Sequence, residues 1–141
     1  MSTAEDRPFE SMQAGETASF ERTVTQLDVD AFAHLSGDHS PLHVDSSYAV
    51  AASYGGRVVH GMFLGALMSQ LVGMRLPGKR ALLMSESLEF KKPVHIGDTV
   101  LVEGTVVRTS ASTRIIELGV SITVKGIIVA AGQARVMVRT A

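Results

Sequence analysis

The pattern of apolar and polar positions divides the chain into a mainly helical first half and a β-rich second half. From Gly61 to Leu76 nearly every residue is apolar, which is the pattern of a helix surrounded by protein. Pro77-Gly78 ends this stretch, and the period of the pattern then changes from helical to that of strands. Four strands are predicted, at residues 82–94, 98–109, 113–125 and 127–138.

Short turn sequences separate these four runs. They are Gly97-Asp98, Ser110-Ala111-Ser112 and Lys125-Gly126. Connections of this length join antiparallel neighbours, so the pattern predicts a four-stranded meander. An earlier strand at residues 18–25 is available to complete the sheet.

Alternation within the strand at 98–109 indicates a sheet with one covered face. The alternating residues are Val100, Val102 and Val106 on one side and Leu101, Glu103 and Thr105 on the other. A curved antiparallel sheet wrapped around the long helix buries that face and the helix together. The predicted fold class is therefore α+β, with one long central helix.

Two shorter helices are predicted before the long one. Thr25 and Asp28 have the spacing of a capping box, which opens a helix that carries Val29, Phe32, Ala33 and Leu35. The turn-forming residues 36–41 end that helix in a loop. Asp45 and Ser46 can cap a second short helix at residues 47–52.

Length and composition narrow the class of protein. The chain has 141 residues, 45% of them hydrophobic and 19% charged, which is typical of one soluble globular domain. It has no cysteine, which excludes disulfides, thiolate metal ligands and a cysteine nucleophile. The polar segment 1–16 offers no signal-peptide core, and the stretch at 61–76 is shorter than the roughly 20 residues of a membrane span. A cytoplasmic location without membrane contact is expected.

The charges are distributed unevenly along the chain. Residues 1–50 hold nine acids and two bases, whereas residues 51–141 hold five acids and eleven bases. The later part can receive phosphate groups, although an ordinary solvated strand face has the same composition. The bases are not clustered as nucleic-acid binding requires, so no nucleic-acid partner is predicted.

The residues with reactive side chains concentrate in segment 32–45 and in residues 58–62. The chain here resembles the MaoC-like hydratase 2 family, whose signature runs aromatic, apolar, Ser or Thr, Gly, Asp, any residue, Asn, Pro, apolar, His, any residue, acidic. The matching residues are Phe32, Leu35, Ser36, Gly37, Asp38, Pro41, Leu42, His43 and Asp45. His60-Gly61-Met62 and the later segment 90–98 fit as well, and the resemblance covers about residues 18–138.

The resemblance implies a single hot-dog domain over residues 1–141, with residues 1–15 as a polar extension. The implied activity is the (R)-specific, reversible hydration of a trans-2-enoyl-CoA to a (3R)-3-hydroxyacyl-CoA, a lyase reaction of fatty acid metabolism that needs no cofactor. It also implies a homodimer with the ligand near the junction of two units. An acyl carrier protein thioester is an alternative substrate, and the acyl chain length stays open.

By the same resemblance, Asp38 and His43 form the catalytic pair. Hydration requires that water lose a proton as it attacks C3 and that a proton reach C2, so two titratable groups must face one water. Asp38 is the predicted base and His43 its partner on that water. Gly61, at the start of the long helix, is predicted to let the thioester carbonyl approach backbone N–H donors. Asp45 is better explained as a helix cap than as a catalyst.

Further residues are predicted to contact the substrate. Ser40 stands where the family has Asn, and its hydroxyl can also donate and accept a hydrogen bond. His60 belongs to the matching tripeptide, and Met62 can line an acyl tunnel or the core. Ser69 either supports the catalytic pair or bonds its own helix backbone. Lys91 is predicted to meet coenzyme A phosphates, and at most one of Lys91 and Lys92 is expected to do so, because adjacent residues on a strand point opposite ways.

Three other functions were considered. His34, His39 and His43 with Asp38 offer metal ligands, but no recognised metal motif accompanies them, so no metal is predicted. Hot-dog thioesterases usually carry an acid on or near the central helix, and residues 61–76 contain none. A non-catalytic acyl-CoA-binding protein would not require both Asp38 and His43.

Overall fold

The computed structural model describes residues 3–140 and shows one antiparallel sheet of five strands with a long helix packed against it. The strands are β1 (Thr17–Thr23), β2 (Ala81–Phe90), β3 (Thr99–Ser110), β4 (Ile115–Val124) and β5 (Ile127–Val138). The helices are α1 (Gln26–Ser36), α2 (Pro41–Val44), α3 (Ser46–Ala51) and α4 (Gly61–Met74), preceded by a 3-10 turn at Phe9–Ser11. The α+β class predicted from the pattern is confirmed. Within the described range, no helix is both long and apolar enough to span a membrane.

The strand order in the sheet is β1-β3-β4-β5-β2. The hairpins that join β3 to β4 and β4 to β5 agree with the predicted turns. The prediction that the strands flanking Gly97-Asp98 pair with each other is wrong, because β2 pairs with β5 and β3 pairs with β1. The reason is the length of the connection: β2 ends at Phe90 rather than at residue 94, so residues 91–98 form a crossing segment instead of a tight turn.

The hydrophobic core lies between α4 and one face of the sheet. Helix α4 contributes Phe63, Leu64, Leu67, Met68, Leu71 and Val72 to it. The predicted alternation of β3 is confirmed, since Val100, Val102 and Val106 are buried. Gly104 lies opposite Leu71, where a Cβ would come within 2.5 Å of the leucine Cδ2. The missing side chain therefore allows the helix to pack closely on the sheet.

Helix α4 is not covered all round in the single chain, which corrects the prediction of a helix surrounded by protein. Met62 is 63% exposed, and Ala66, Ser69 and Gln70 are exposed as well. The apolar pattern of the sequence does not distinguish residues buried within one chain from residues available to a second surface.

Local signals account for the ends of the short helices. Thr25 and Asp28 form the predicted capping box, with each side chain accepting a hydrogen bond from the other residue's backbone N–H. The Arg22 guanidinium donates to Asp28 and lowers the pKa of that carboxyl. Gly37 ends α1 in a left-handed conformation at φ 78°. Asp45 caps α3 by accepting from the Tyr48 N–H, as predicted.

Candidate active site

Asp38 lies in the four-residue loop 37–40 between α1 and α2. Its Oδ1 accepts a hydrogen bond from the Ser40 backbone N–H at 3.1 Å, and its own N–H donates to Ser36 Oγ at 3.1 Å. Half of the side chain, 52%, is exposed to solvent. These local bonds hold the carboxylate in place while leaving its second oxygen, Oδ2, open to other contacts.

His43 projects from α2 with a fixed orientation. Its Nδ1 lies 2.7 Å from the Val58 carbonyl oxygen, and since a carbonyl only accepts, Nδ1 carries the proton. The lone pair of the neutral ring is then on Nε2, which lies 3.9 Å from Asp38 Oδ2. That distance exceeds a direct hydrogen bond. The two atoms are therefore close enough to share one small polar molecule.

His60 lies directly behind this pair. It is 2% exposed, and its ring stacks on the His43 ring with centroids 3.9 Å apart and planes inclined by 25°. Its Nε2 lies 2.9 Å from the Asp38 backbone oxygen. On another side, Phe32 meets the His60 ring edge-on at 4.9 Å. The structure thus places His60 behind His43 in the protein interior.

Arg57 is a residue of this site that the sequence pattern did not reveal. Its side chain is 8% exposed, its Nε donates to the His43 backbone oxygen, and its terminal nitrogen pairs with Asp30 of α1. The guanidinium thereby links α2 to α1 next to His43. No local motif marks Arg57, because both of its partners come from distant parts of the chain.

A cavity of about 340 Å³ opens beside His43. It lies between α2, the start of α4 and the end of β2. Its lining residues are Leu42, His43, Tyr54, Val58, Val59, Gly61, Leu64, Phe90, Lys91, Lys92, Pro93 and Val94. A larger depression of about 530 Å³ shares Tyr54 with it, but it does not include His43 and its lining is about equally polar and apolar. Of the two, the smaller and more apolar cavity is the one that His43 lines.

Gly61 is the first residue of α4 and lines the cavity. A Cβ at this position would lie 2.9 Å from Cζ of Phe90 and 3.0 Å from its Cε2. The missing side chain therefore accommodates the Phe90 ring. The first N–H groups of a helix have no partner within the helix, so the start of α4 presents donors with a favourable dipole at the cavity.

The other predicted substrate contacts are more scattered. Lys91 and Lys92 both line the cavity. Strand alternation does not place them on opposite sides, as was expected, because β2 ends at Phe90 and neither lysine lies on a strand. Ser40 is exposed at the start of α2. Met62 and Ser69 are exposed on α4. Neither of them is among the described residues that line the cavity.

Asp38, His43 and His60 form a group whose ligand atoms lie within 4.8 Å of one another. His34 and His39, considered from the sequence, are not in this group and are exposed. Two imidazoles that bind one metal must direct their lone pairs, which lie in the ring planes, at the same point. The rings of His43 and His60 are stacked face to face, and His60 Nε2 is bonded to a backbone oxygen. This geometry does not suit a metal ion.

Glu86, on β2, is a partly buried acid that is not among the residues lining the cavity. Its Oε1 has no hydrogen-bond partner among the described residues, and its Oε2 lies 2.9 Å from where a Cβ of Gly65 would be. Burial raises the pKa of the Glu86 carboxyl.

The family model described as MaoC like domain matches residues 10–128. The chain belongs to the MaoC-like family. It is 38% identical over 130 residues to the (R)-specific enoyl-CoA hydratase of Rhodospirillum rubrum, covering 92% of this chain and 90% of the relative. It is 34% identical over 130 residues to the 3-hydroxybutyryl-CoA dehydratase of Methylorubrum extorquens, covering 92% and 83%.

A solved hydratase structure has the same fold over almost the whole chain. The R-hydratase PhaJ1 from Pseudomonas aeruginosa, in its unliganded form, matches with a TM-score of 0.93 at 28% identity, covering 99% of this chain and 90% of that one. The predicted hot-dog fold is thereby confirmed.

Proposed function

We propose that this protein is an (R)-specific enoyl-CoA hydratase, which reversibly adds water to a trans-2-enoyl-CoA to give a (3R)-3-hydroxyacyl-CoA. The observation that carries the proposal is the pair formed by Asp38 Oδ2 and His43 Nε2, 3.9 Å apart beside the cavity. The hydratase and dehydratase relatives named above support the same reaction. The substrate is a coenzyme A or acyl carrier protein thioester.

In the proposed reaction one water contacts both side chains. Asp38 accepts a proton from that water as its oxygen bonds to C3 of the enoyl group, and His43 holds the water through Nε2. The pair then returns one proton to C2, so that the atoms of a single water are added across the double bond. The His43 Nδ1–H bond to the Val58 oxygen keeps the ring in the tautomer that this step needs.

The thioester oxygen becomes negative as the bond to C3 forms. We infer that the N–H groups at the start of α4, beside Gly61, receive that oxygen, because fixed donors aimed at a developing charge stabilise it without reorganisation. The mainly apolar cavity between Leu64, Phe90 and Val94 then takes the neighbouring acyl or pantetheine atoms. Lys91 and Lys92, on the same wall, are suited to phosphate groups.

We also infer that two chains form a homodimer. Strand β2 is an edge strand whose one partner in the described sheet is β5. Large apolar side chains on it are exposed, with Leu82 and Met84 at 49% and Phe90 at 51%, and the nearby Met62 on α4 is 63% exposed. An unpaired edge with apolar neighbours is a surface that a second copy can cover. A cytoplasmic location stays a prediction from the sequence.

The test of the function is a panel of trans-2-enoyl-CoAs of increasing chain length, assayed without added cofactor. We expect loss of the enoyl absorbance and a (3R)-hydroxy product by chiral analysis. Release of free coenzyme A without hydration would instead support a thioesterase. Binding without turnover would support a non-catalytic acyl-CoA-binding protein.

Light scattering at assay concentration tests the dimer, and a fully active monomer would contradict it.

Substitution of the pair tests whether Asp38 and His43 act on one water. Asp38→Asn and His43→Gln should each lower kcat by roughly a hundredfold or more, the scale of general acid–base assistance, with KM little changed. The double variant should be only slightly worse than the poorer single variant, because groups that act as a unit are not additive. His39→Gln is the matched control, since His39 is exposed in the same loop. Losses that multiply fully would contradict the shared water.

A further inference from the structure

His60 is an unusual residue in this molecule. Within residues 3–140 it is the one polar or charged residue in the buried set, at 2% exposure. Its Nδ1 is buried and has no hydrogen-bond partner among the described residues. Burial of an imidazole with an unsatisfied nitrogen costs free energy. Its position therefore calls for an explanation beyond packing.

The contacts of His60 fix its protonation. Nε2 lies 2.9 Å from the Asp38 backbone oxygen, and since a carbonyl can only accept, Nε2 carries a proton. A second proton on Nδ1 would create a buried cation whose N–H has no acceptor, which is costly. His60 is therefore a neutral ring with its proton on Nε2.

One side chain thus contacts both members of the proposed catalytic pair. Through Nε2–H it holds the backbone of Asp38, which comes from the loop after α1. Through its ring face it supports the imidazole of His43, which comes from α2. Phe32, on α1, packs edge-on against the same ring. A shift of His60 therefore changes the separation of Asp38 Oδ2 and His43 Nε2.

We propose that His60 is a positioning residue that sets the distance and orientation of Asp38 and His43, and that it does not contact the substrate. This inference rests on the proposed hydratase function and changes the role predicted for His60 from the sequence.

Two substitutions separate the two contacts. His60→Phe keeps a ring against His43 and loses the N–H to Asp38, whereas His60→Gln keeps a donor near the Nε2 position and loses the ring. Each should lower kcat by about 10- to 100-fold, because small misplacements of reacting groups have effects of this size. KM should stay within about threefold, since binding of the thioester is not altered when only a transition-state interaction is lost. An increase in KM with unchanged kcat would show a substrate contact and overturn the proposal.

A further comparison distinguishes positioning from a general structural role. In an Asp38→Asn background, where the contribution of the pair is already lost, His60→Phe should cause little additional loss of the residual kcat. A second loss as large as in the wild type would show that His60 acts independently of the pair. Melting temperature and circular dichroism must show that each variant is folded.

If the variants do not fold, the wild-type protein still provides a test. The nitrogen chemical shifts of its histidine rings, assigned by NMR, should show a neutral His60 with the proton on Nε2. A cationic ring or the Nδ1–H tautomer would overturn the inference. This measurement needs no turnover, so it distinguishes failure of the His60 proposal from failure of the hydratase proposal.

Discussion

Replacement of Gly61 by alanine should separate activity from stability. The new Cβ would lie 2.9 Å from Cζ of Phe90, whereas carbon atoms in contact are about 3.5–4.0 Å apart, so the ring must move by about 0.6–1.1 Å. Phe90 is 51% exposed in the single chain, where its ring can move at small cost. Alanine is also favoured over glycine in a helix by about 0.5–1 kcal/mol. The net change in the free energy of unfolding should be within about 1 kcal/mol, or about 4 °C in melting temperature.

The same movement should reduce turnover. Phe90 and Gly61 line the cavity together with His43, so a ring displaced by about 1 Å changes where the thioester lies relative to the catalytic pair. Displacements of that size can lower rates by about 100-fold, and we expect kcat/KM for an enoyl-CoA to fall by about 10- to 100-fold. The assay is the loss of enoyl absorbance, with thermal unfolding measured on the same preparation.

A matched control lies on the same helix. At Gly73 a Cβ would meet no atom within 4 Å, so Gly73→Ala should keep full activity. Phe90→Ala tests the cause: if the clash with the ring is responsible, Gly61→Ala should cost much less activity in the Phe90→Ala background than in the wild type. Wild-type kcat/KM in a folded Gly61→Ala protein, or an equal loss with and without the ring, would refute the reasoning.

Three further substitutions test other parts of the molecule. Arg57→Met removes the charge-assisted bond to the His43 oxygen and should lower both kcat and the free energy of unfolding, the latter by about 1.5–3 kcal/mol in urea titrations. Asp30→Asn leaves that bond in place and should lower the free energy of unfolding by less than about 1 kcal/mol. Equal losses in the two variants would contradict the importance of the bond from Arg57 to the His43 oxygen. Burial raises the pKa of Glu86 in the folded chain. At pH values above the ordinary pKa of a glutamate, the folded chain therefore binds more protons than the unfolded chain. The free energy of unfolding then decreases as the pH rises through the pKa of Glu86 in the folded chain. Glu86→Gln should therefore unfold at a higher temperature than the wild type at pH 8 and show no gain at pH 4, whereas a difference independent of pH would contradict this account.

Several features of the fold follow from interactions between residues that are close in the sequence. The capping box of Thr25 and Asp28, the glycine that ends α1, the cap at Asp45 and the turns after β3 and β4 each depend on two to four neighbouring residues. The alternation in β3 follows from the period of a strand. The sequence pattern therefore predicted these elements, with ends displaced by one or two residues. Strand β2 was predicted too long, because its apolar pattern continues past Phe90 into a segment that leaves the sheet.

The order of the strands and the construction of the site depended on tertiary structure. Turn residues at Gly97-Asp98 could not show that β2 lies at the edge beyond β5, because strand pairing over a long connection is decided by which surfaces pack together. The family signature indicated Asp38 and His43, and their separation of 3.9 Å is set by contacts from outside the signature loop. Arg57 and the Val58 oxygen hold His43 across 14 and 15 residues of chain, and His60 reaches Asp38 across 22. The sequence by itself determined which side chains can carry out proton transfer, while the distance and orientation between them exist only where these distant segments meet, because no local interaction constrains them.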